Sequence, residues 1–451
     1  MEAETPKKSG RYDVWVAVAI SLFAALAFYF STNPTLNDLD YTAEIASAFL
    51  RGDLGLREKP PDWLNEMIPY GDRYYSAFPL GSVFCMLPVA LLQKASLIHD
   101  FPARVLAALI AGACVYFFFQ LAKAFGPDYS SLKPKPLFRR ILLALFPVFA
   151  TWTWCNLGMG GAWQIALGLA LLGETAALYF TLVRPSPFIA GAFFALAFGN
   201  RTELLITAPF YLYLFWRRRA FVGHASLLPE PENTNGFPTM SGSSAPGSDA
   251  LNGAALWWKD LKQALRLNGS AVFDFLTLPV TLALLTCAYN LARFHSVSDF
   301  GYLHIPEVRD EPWYEHGLFS VYSIPWNVNT MIFTGFIDDP TFPFLTFPPF
   351  GCSIFLSSPL LFLLFRAGGK YRAISWIAIG IVTFVLWCHG NPGGWQFSYR
   401  YAMILLPWMF LLLTGNGPPR ITVTETALFV VSIAINGIAT WSFLWTDKIQ
   451  P

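Results

Sequence analysis

The sequence predicts an all-α, polytopic membrane protein with about eleven transmembrane helices. Three observations predict it. Of 451 residues, 55% are hydrophobic and 13% charged, whereas a soluble globular chain carries about 25% charged residues. Apolar runs of ~17–25 residues, the length that spans a bilayer, recur along the chain. Lysine and arginine gather between those runs, as they do in cytoplasmic loops. The clusters are Lys7/Lys8/Arg11, Lys133/Lys135/Arg139/Arg140, Arg217/Arg218/Arg219 and Arg366/Lys370/Arg372. A formal net charge of +1 gives nucleic acid no electrostatic footing, so no nucleic-acid partner is expected. The six cysteines (Cys85, Cys114, Cys155, Cys287, Cys352 and Cys388) form no C-x-x-C pair and read as small buried hydrophobes.

The first run, 13–31, is long for a signal sequence and has no A-x-A-like cleavage site after it, so it reads as a retained helix. With all four basic clusters on the cytoplasmic side, only two of the runs 13–31, 78–97 and 102–124 cross fully. The middle one holds Pro79, Gly81 and Pro88 and reads as a juxtamembrane or partly inserted segment. Residues 32–100 then form an acidic external loop with Asp38, Asp40, Glu44, Asp53, Glu58, Asp62, Glu66 and Asp72.

Helices are expected over 141–157 and 163–182. The run 187–216 would be roughly 45 Å long as one helix, too long for one crossing, so it is expected to fold as a hairpin with its tip at Asn200-Arg201-Thr202-Glu203. The Pro-, Gly- and Ser-rich stretch in 220–256 reads as a disordered cytoplasmic linker. A short interfacial amphipathic helix over 257–267 follows it. Helices near 270–293, 347–365, 373–389, 401–414 and 422–445 complete the set, with an aromatic external loop at 294–346.

The domain plan is thus a cytoplasmic N-terminus (1–12), an N-terminal transmembrane module (13–216), a cytoplasmic linker (217–268) and a C-terminal transmembrane module (269–451). It places four polar sites on one side: Asp38/Asp40, the turn Gly158-Met159-Gly160-Gly161, the 200–203 tip, and Tyr399-Arg400-Tyr401.

Each site has a functional and a structural reading. Asp38-Leu39-Asp40 offers alternate carboxylates for a divalent metal or a general base; otherwise Asn37 or Asp38 simply caps the following helix. Arg400 offers a fork for phosphate, or snorkels to the interface within an aromatic belt. Arg201 and Glu203 bind a ligand, or form an internal ion pair. Glu174 lies within an apolar helix, as a packing partner or a functional carboxyl. His295, His304 and His316 share one loop without ligand spacing. Trp152, Trp154, Trp163 and Trp395 suit sugar stacking or an aromatic belt.

Asp38-Leu39-Asp40-Tyr41-Thr42-Ala43-Glu44-Ile45-Ala46 resembles the start of the first external loop of GT-C glycosyltransferases, among them protein O-mannosyltransferases and lipid A aminoarabinose transferases. Tyr70–Gly81 resembles the later part of that loop, Gly191–Pro209 the fifth and sixth helices, and Gln396–Pro407 a motif of bacterial members.

The resemblance implies inverting transfer of a sugar from a polyprenyl-phosphate donor to a lipid, glycan or protein acceptor. The site would lie at the extracytoplasmic face of a bacterial inner or plasma membrane, among membrane lipids. Asp38 is then the general base. Asp40 orients the acceptor or helps hold a divalent metal. Arg400, then Arg201, then Arg73 meet the phosphate, with Tyr399, Tyr401, Glu203 and Tyr75 beside them. A transporter or flippase of lipid-linked or sugar substrates is the rival reading; it predicts ionisable groups at helix midpoints and paired repeats.

Overall fold

The computed structural model describes residues 6–33, 39–61, 63–64, 66–126, 133–225, 249–306 and 308–449, without the side chains of 6–11, 218–225, 249–268 and 309. Asp38, and the core of the linker at 226–248, lie outside the described residues.

The chain is a helical membrane protein. Among the described residues, five helices have the length and apolarity to cross a bilayer: Tyr12–Ser31, Ala103–Phe125, Ala162–Leu182, Gly269–Phe294 and Val423–Leu444. Their outward faces are apolar, with Phe23, Leu26 and Phe30 on the first and Phe273 and Leu284 on the fourth exposed. That is the reverse of a soluble helix, whose outer face is polar.

In chain order the N-terminal half comprises α1 (Pro6–Ser31), α2 (Tyr41–Phe49), α3 (Leu80–Lys94), α4 (Ala103–Leu121), α5 (Pro134–Phe149), α6 (Thr153–Gly158), α7 (Ala162–Leu182), α8 (Pro187–Asn200) and α9 (Ala208–Ala225). The C-terminal half comprises α10 (Asp249–Phe294), the short α11 (Ile324–Val328) and α12 (Ile354–Ser357), then α13 (Arg372–Cys388), α14 (Leu406–Gly415) and α15 (Val423–Leu444).

Five long apolar helices fall short of the eleven crossings expected, and local breaks account for the difference. The 141–157 run divides between α5 and α6. Segment 347–365 forms no regular helix: Pro348, Pro349, Gly351 and Pro359 leave room only for α12 and a 3₁₀ stretch over Pro359–Phe365. Residues Arg400–Leu405 are also 3₁₀ before α14 begins. At 15 residues, α3 is about 22 Å long, shorter than a ~30 Å hydrocarbon core. The separate interfacial helix expected at 257–267 is instead continuous with the following span in α10.

The hairpin expected at 187–216 is present. α8 ends at Asn200, a 3₁₀ turn covers Thr202–Thr207, and α9 returns. Phe194 and Tyr211 meet across it with ring centroids 5.1 Å apart.

Small residues let the helices approach closely, as is common in lipid. Gly173 of α7 sits against the backbone of Phe193 and Ala197, Gly191 against Phe275, and Gly81 against Gly199, so a Cβ at any of them would strike backbone.

One end of the bundle is basic and paired. Arg140 donates to Asp13 at 2.6 Å, and Lys123 pairs with the same carboxylate. Arg139 and Arg366 both reach Glu425, at 2.9 and 2.8 Å. Lys370 donates to the Ala124 carbonyl. Residues from two separate basic clusters therefore meet at one end and tie α5, α15 and the 359–366 segment together. Removing Glu425 takes the carboxylate away from Arg139, which is 1% exposed. Glu425→Ala is predicted to cost about 3–5 kcal/mol, whereas Arg366→Ala, which removes the half-exposed partner, costs about 1 kcal/mol. Thermal unfolding in detergent checks both.

Candidate functional site

The opposite end carries the polar residues. Two antiparallel hairpins stand there: β1 (Met67–Tyr70) with β2 (Arg73–Ser76), and β3 (Ile337–Asp338) with β4 (Leu345–Thr346). Gly71 turns the first at φ +64°, a conformation suited to a two-residue hairpin loop. The first of them, with the segments 59–66, 302–313 and 391–401, lines a cavity of about 930 Å³. A second cavity of about 290 Å³ adjoins it, and Trp163, Tyr302 and Tyr401 line both.

Arg400 reaches the larger cavity because the chain before it is held rigidly. Asn156 on α6 donates to the Phe397 carbonyl at 2.8 Å and accepts from the Phe397 amide at 3.3 Å. Gln396 accepts from the Arg400 amide at 3.0 Å and donates to the carbonyls of Pro392 and Phe350. Ser398 takes φ +57°, turning the chain so that Arg400 and Tyr401 face the cavity. The residue is 8% exposed. Its Nη1 donates weakly to the Trp395 carbonyl at 3.4 Å, and its Nε is buried without a hydrogen-bond partner. Among the described residues no carboxylate comes within ion-pair distance of it. A snorkelling arginine would reach outward to water; this one is enclosed and directed inward.

Arg201 approaches the same ring from the hairpin tip. Its guanidinium carbon lies 4.8 Å from the Tyr401 ring centroid, and that of Arg400 5.3 Å, both within cation–π range. Arg201 differs in being neutralised by Glu203 at 2.7 Å. Both line the smaller cavity with His389. His389 bonds through Nδ1 to the Asn391 carbonyl at 2.8 Å; burial and the nearby arginines hold its pKa low.

Glu66 is the acidic residue of the larger cavity. Trp163 Nε1 donates to its carboxylate. Removal from water raises its pKa to about 7; the Trp163 bond and the charge of Arg400 pull it partly back, and Glu311 pushes it up. Tyr41 is hydrogen-bonded to the Glu66 main chain. Asp40 precedes it as N-cap of α2, buried, and its carboxylate does not cap the helix. Leu39 accepts from the Ala162 amide at 2.7 Å, which fastens the acidic segment to the start of α7, beside Trp163.

Asp40, the Gly158–Gly161 turn, the 200–203 tip and the 399–401 stretch, expected to share a side, do lie at this end, while Asp38 is outside the described residues. Their members divide. Arg400, Tyr401, Arg201 and Glu203 line the cavities, whereas Asp40 does not and bears on Tyr41 through its charge. Arg73 does not reach them, because Asp53 holds it at 2.8 Å together with Arg57. Tyr75 packs against Phe294 and Gly55. Tyr399 is buried and donates to Asn327 at 2.8 Å, so it positions the Arg400 segment without touching the cavity. Of the tryptophans at 152, 154, 163 and 395, only Trp163 lines a cavity; Trp313 and Trp326 line it from the 302–326 loop. Glu66, Trp313, Trp326 and His389 were not legible as site residues, since each lies in a loop or helix end with no local motif.

Among the described residues no three His, Cys, Asp or Glu side chains gather as metal ligands. His304 is bonded to Asp299 and His316 stacks on Tyr322. No protein family matches the chain, and no curated protein or solved structure is significantly similar to it.

Glu66 has a folded pKa of about 7 against an ordinary 4.5. The native state therefore keeps a proton that the unfolded chain releases, and stability falls as pH rises from about 4.5 to about 7. Glu66→Gln removes that loss. Its melting temperature is predicted to gain on wild type between pH 5 and pH 8, measured by thermal unfolding in detergent.

Proposed function

We propose that this chain is a membrane glycosyltransferase of the GT-C type. It would carry a sugar from a polyprenyl-phosphate donor to an acceptor hydroxyl, on a lipid, glycan or protein, at the extracytoplasmic face. The observation that supports this best is Arg400: a buried guanidinium without a carboxylate partner among the described residues, opening on a cavity of about 930 Å³. Such a fork binds phosphate bidentately and meets the charge that grows on it as the sugar departs. Trp163, Trp313 and Trp326 offer flat apolar faces for a sugar ring.

In the proposed reaction the acceptor oxygen bonds to the anomeric carbon. The bond from that carbon to the phosphate oxygen breaks, its electron pair leaves with the lipid phosphate, and the configuration inverts. The acceptor proton passes to Asp38, the base assigned from the resemblance. Asp40 orients the acceptor. A divalent metal, if bound, would be held by Asp38 and Asp40 and would offset charge on the phosphate; every step above uses side chains of this chain. A lipid-bound donor also explains why the site belongs to a membrane protein: the substrate stays in the bilayer.

One observation favours the rival transporter or flippase. Glu174, at the middle of α7, takes a hydrogen bond from Trp408 at 2.7 Å, while its second oxygen is buried without a partner. Ionisable groups at that depth are often functional.

Transfer of radiolabelled sugar from polyprenyl-phosphate donors by purified protein tests the proposal. Asp38→Asn is expected to fold normally and lose about 10²–10⁴-fold in rate. Arg400→Ala is expected to weaken donor binding on the order of ten- to hundredfold. Undiminished transfer by Asp38→Asn rejects its role as base; translocation in vesicles without transfer supports the rival.

A further inference from the structure

Arg400 and Glu66 face the same cavity from different elements, the 3₁₀ stretch 400–405 and the loop before β1. They lie close enough for the arginine charge to act on the carboxyl, yet no ion pair joins them. Each has a separate anchor: Gln396 and Trp395 for Arg400, Trp163 for Glu66. The space between them is open, and an anion that settles on Arg400 must sit within the field of Glu66.

We propose that the cavity binds a phosphate group together with a proton: the anion occupies Arg400 and Glu66 takes up a proton as it arrives. The inference rests on the proposed function only in taking a phosphodiester as ligand. Two negative groups close together in one cavity disfavour each other, and the cheapest relief is to neutralise the one that titrates near pH 7. The other groups facing the pair do not take its place. Glu311 from the 308–314 segment accepts from Trp313 and adds negative charge, which favours the same uptake. Tyr41, Tyr302 and Tyr314 are all shifted upward from the ordinary tyrosine range and stay neutral. Lys59, Tyr74 and Tyr401 complete the ionisable lining, and Asp40 bears on Tyr41 through its charge. Once protonated, Glu66 becomes an O–H donor that can bond to a phosphate oxygen, turning a repulsive neighbour into a ligand.

The sign follows directly. In the free protein Arg400 holds the Glu66 pKa down. A bound anion cancels that pull and raises it, so ligand binding consumes protons between the two values, and affinity falls as pH rises through them.

Calorimetry of the purified full chain with a short isoprenyl methyl phosphodiester, a monoanion that does not titrate near neutrality, measures this. Titrations at pH 7.5 in buffers of different ionisation heat give the number of protons exchanged. Wild type is expected to take up about half a proton per ligand, with affinity falling by up to about tenfold per pH unit above pH 7. Glu66→Gln should bind without uptake and lose the pH dependence. Trp163→Phe removes the donor that stabilises the carboxylate, so its uptake maximum should move to higher pH; this variant keeps the test decisive if Glu66→Gln does not fold. Binding by wild type without uptake, or uptake that persists in Glu66→Gln, overturns the proposal and leaves the phosphate reading standing. No binding by wild type overturns both.

Discussion

Everything in this protein depends on how charge is kept out of, or paired within, an apolar slab. Arg139 and Arg140 are adjacent in sequence and almost fully buried, and each is held by a carboxylate from a distant helix: Glu425 from α15 and Asp13 from α1. Neither arginine tolerates that setting alone, because an unpaired buried charge costs several kcal/mol. One dipeptide thus fixes the first and last long helices relative to α5. With that end closed by ion pairs, the polar residues that remain collect at the other.

The candidate site is built largely from segments that are not regular helix. Asn156, Gln396 and Ser398 hold this stretch through side-chain to main-chain bonds, which is how irregular buried backbone survives: its main-chain groups find partners inside the protein. That backbone then presents Arg400, whose Nε has none. The contrast with Arg201 is instructive. Both guanidinium groups face Tyr401, but Glu203 pairs with Arg201, whereas Arg400 has no carboxylate within ion-pair distance among the described residues and is the arginine left to meet a phosphate charge.

Glu66 gives that site its chemical interest. Trp163 joins it to α7, Tyr41 joins it to the acidic Asp40 segment, and Arg400 bears on it through space. Phosphate recognition and proton exchange, as proposed above, would then act within one cavity. This coupling does not depend on which sugar or acceptor the protein handles.

The amino-acid sequence by itself determined the membrane class, the basic end, and the hairpin at 187–216. These follow from composition, from lysine and arginine placement, and from the length of an apolar run against bilayer thickness. It also indicated that Asp40, Arg201 and Arg400 share an end, because orientation propagates along the chain from one basic cluster to the next. Only the tertiary structure decided how many helices are long enough to cross, since Pro and Gly break apolar runs that hydropathy alone counts as spans. It alone removed Arg73 and Tyr75 from the cavities, through an ion pair with Asp53 and packing on Phe294. Glu66 likewise became visible only in three dimensions. Its environment is made by Trp163, 97 residues away, and by Arg400, and pair interactions across such separations leave no periodic or local trace in a sequence.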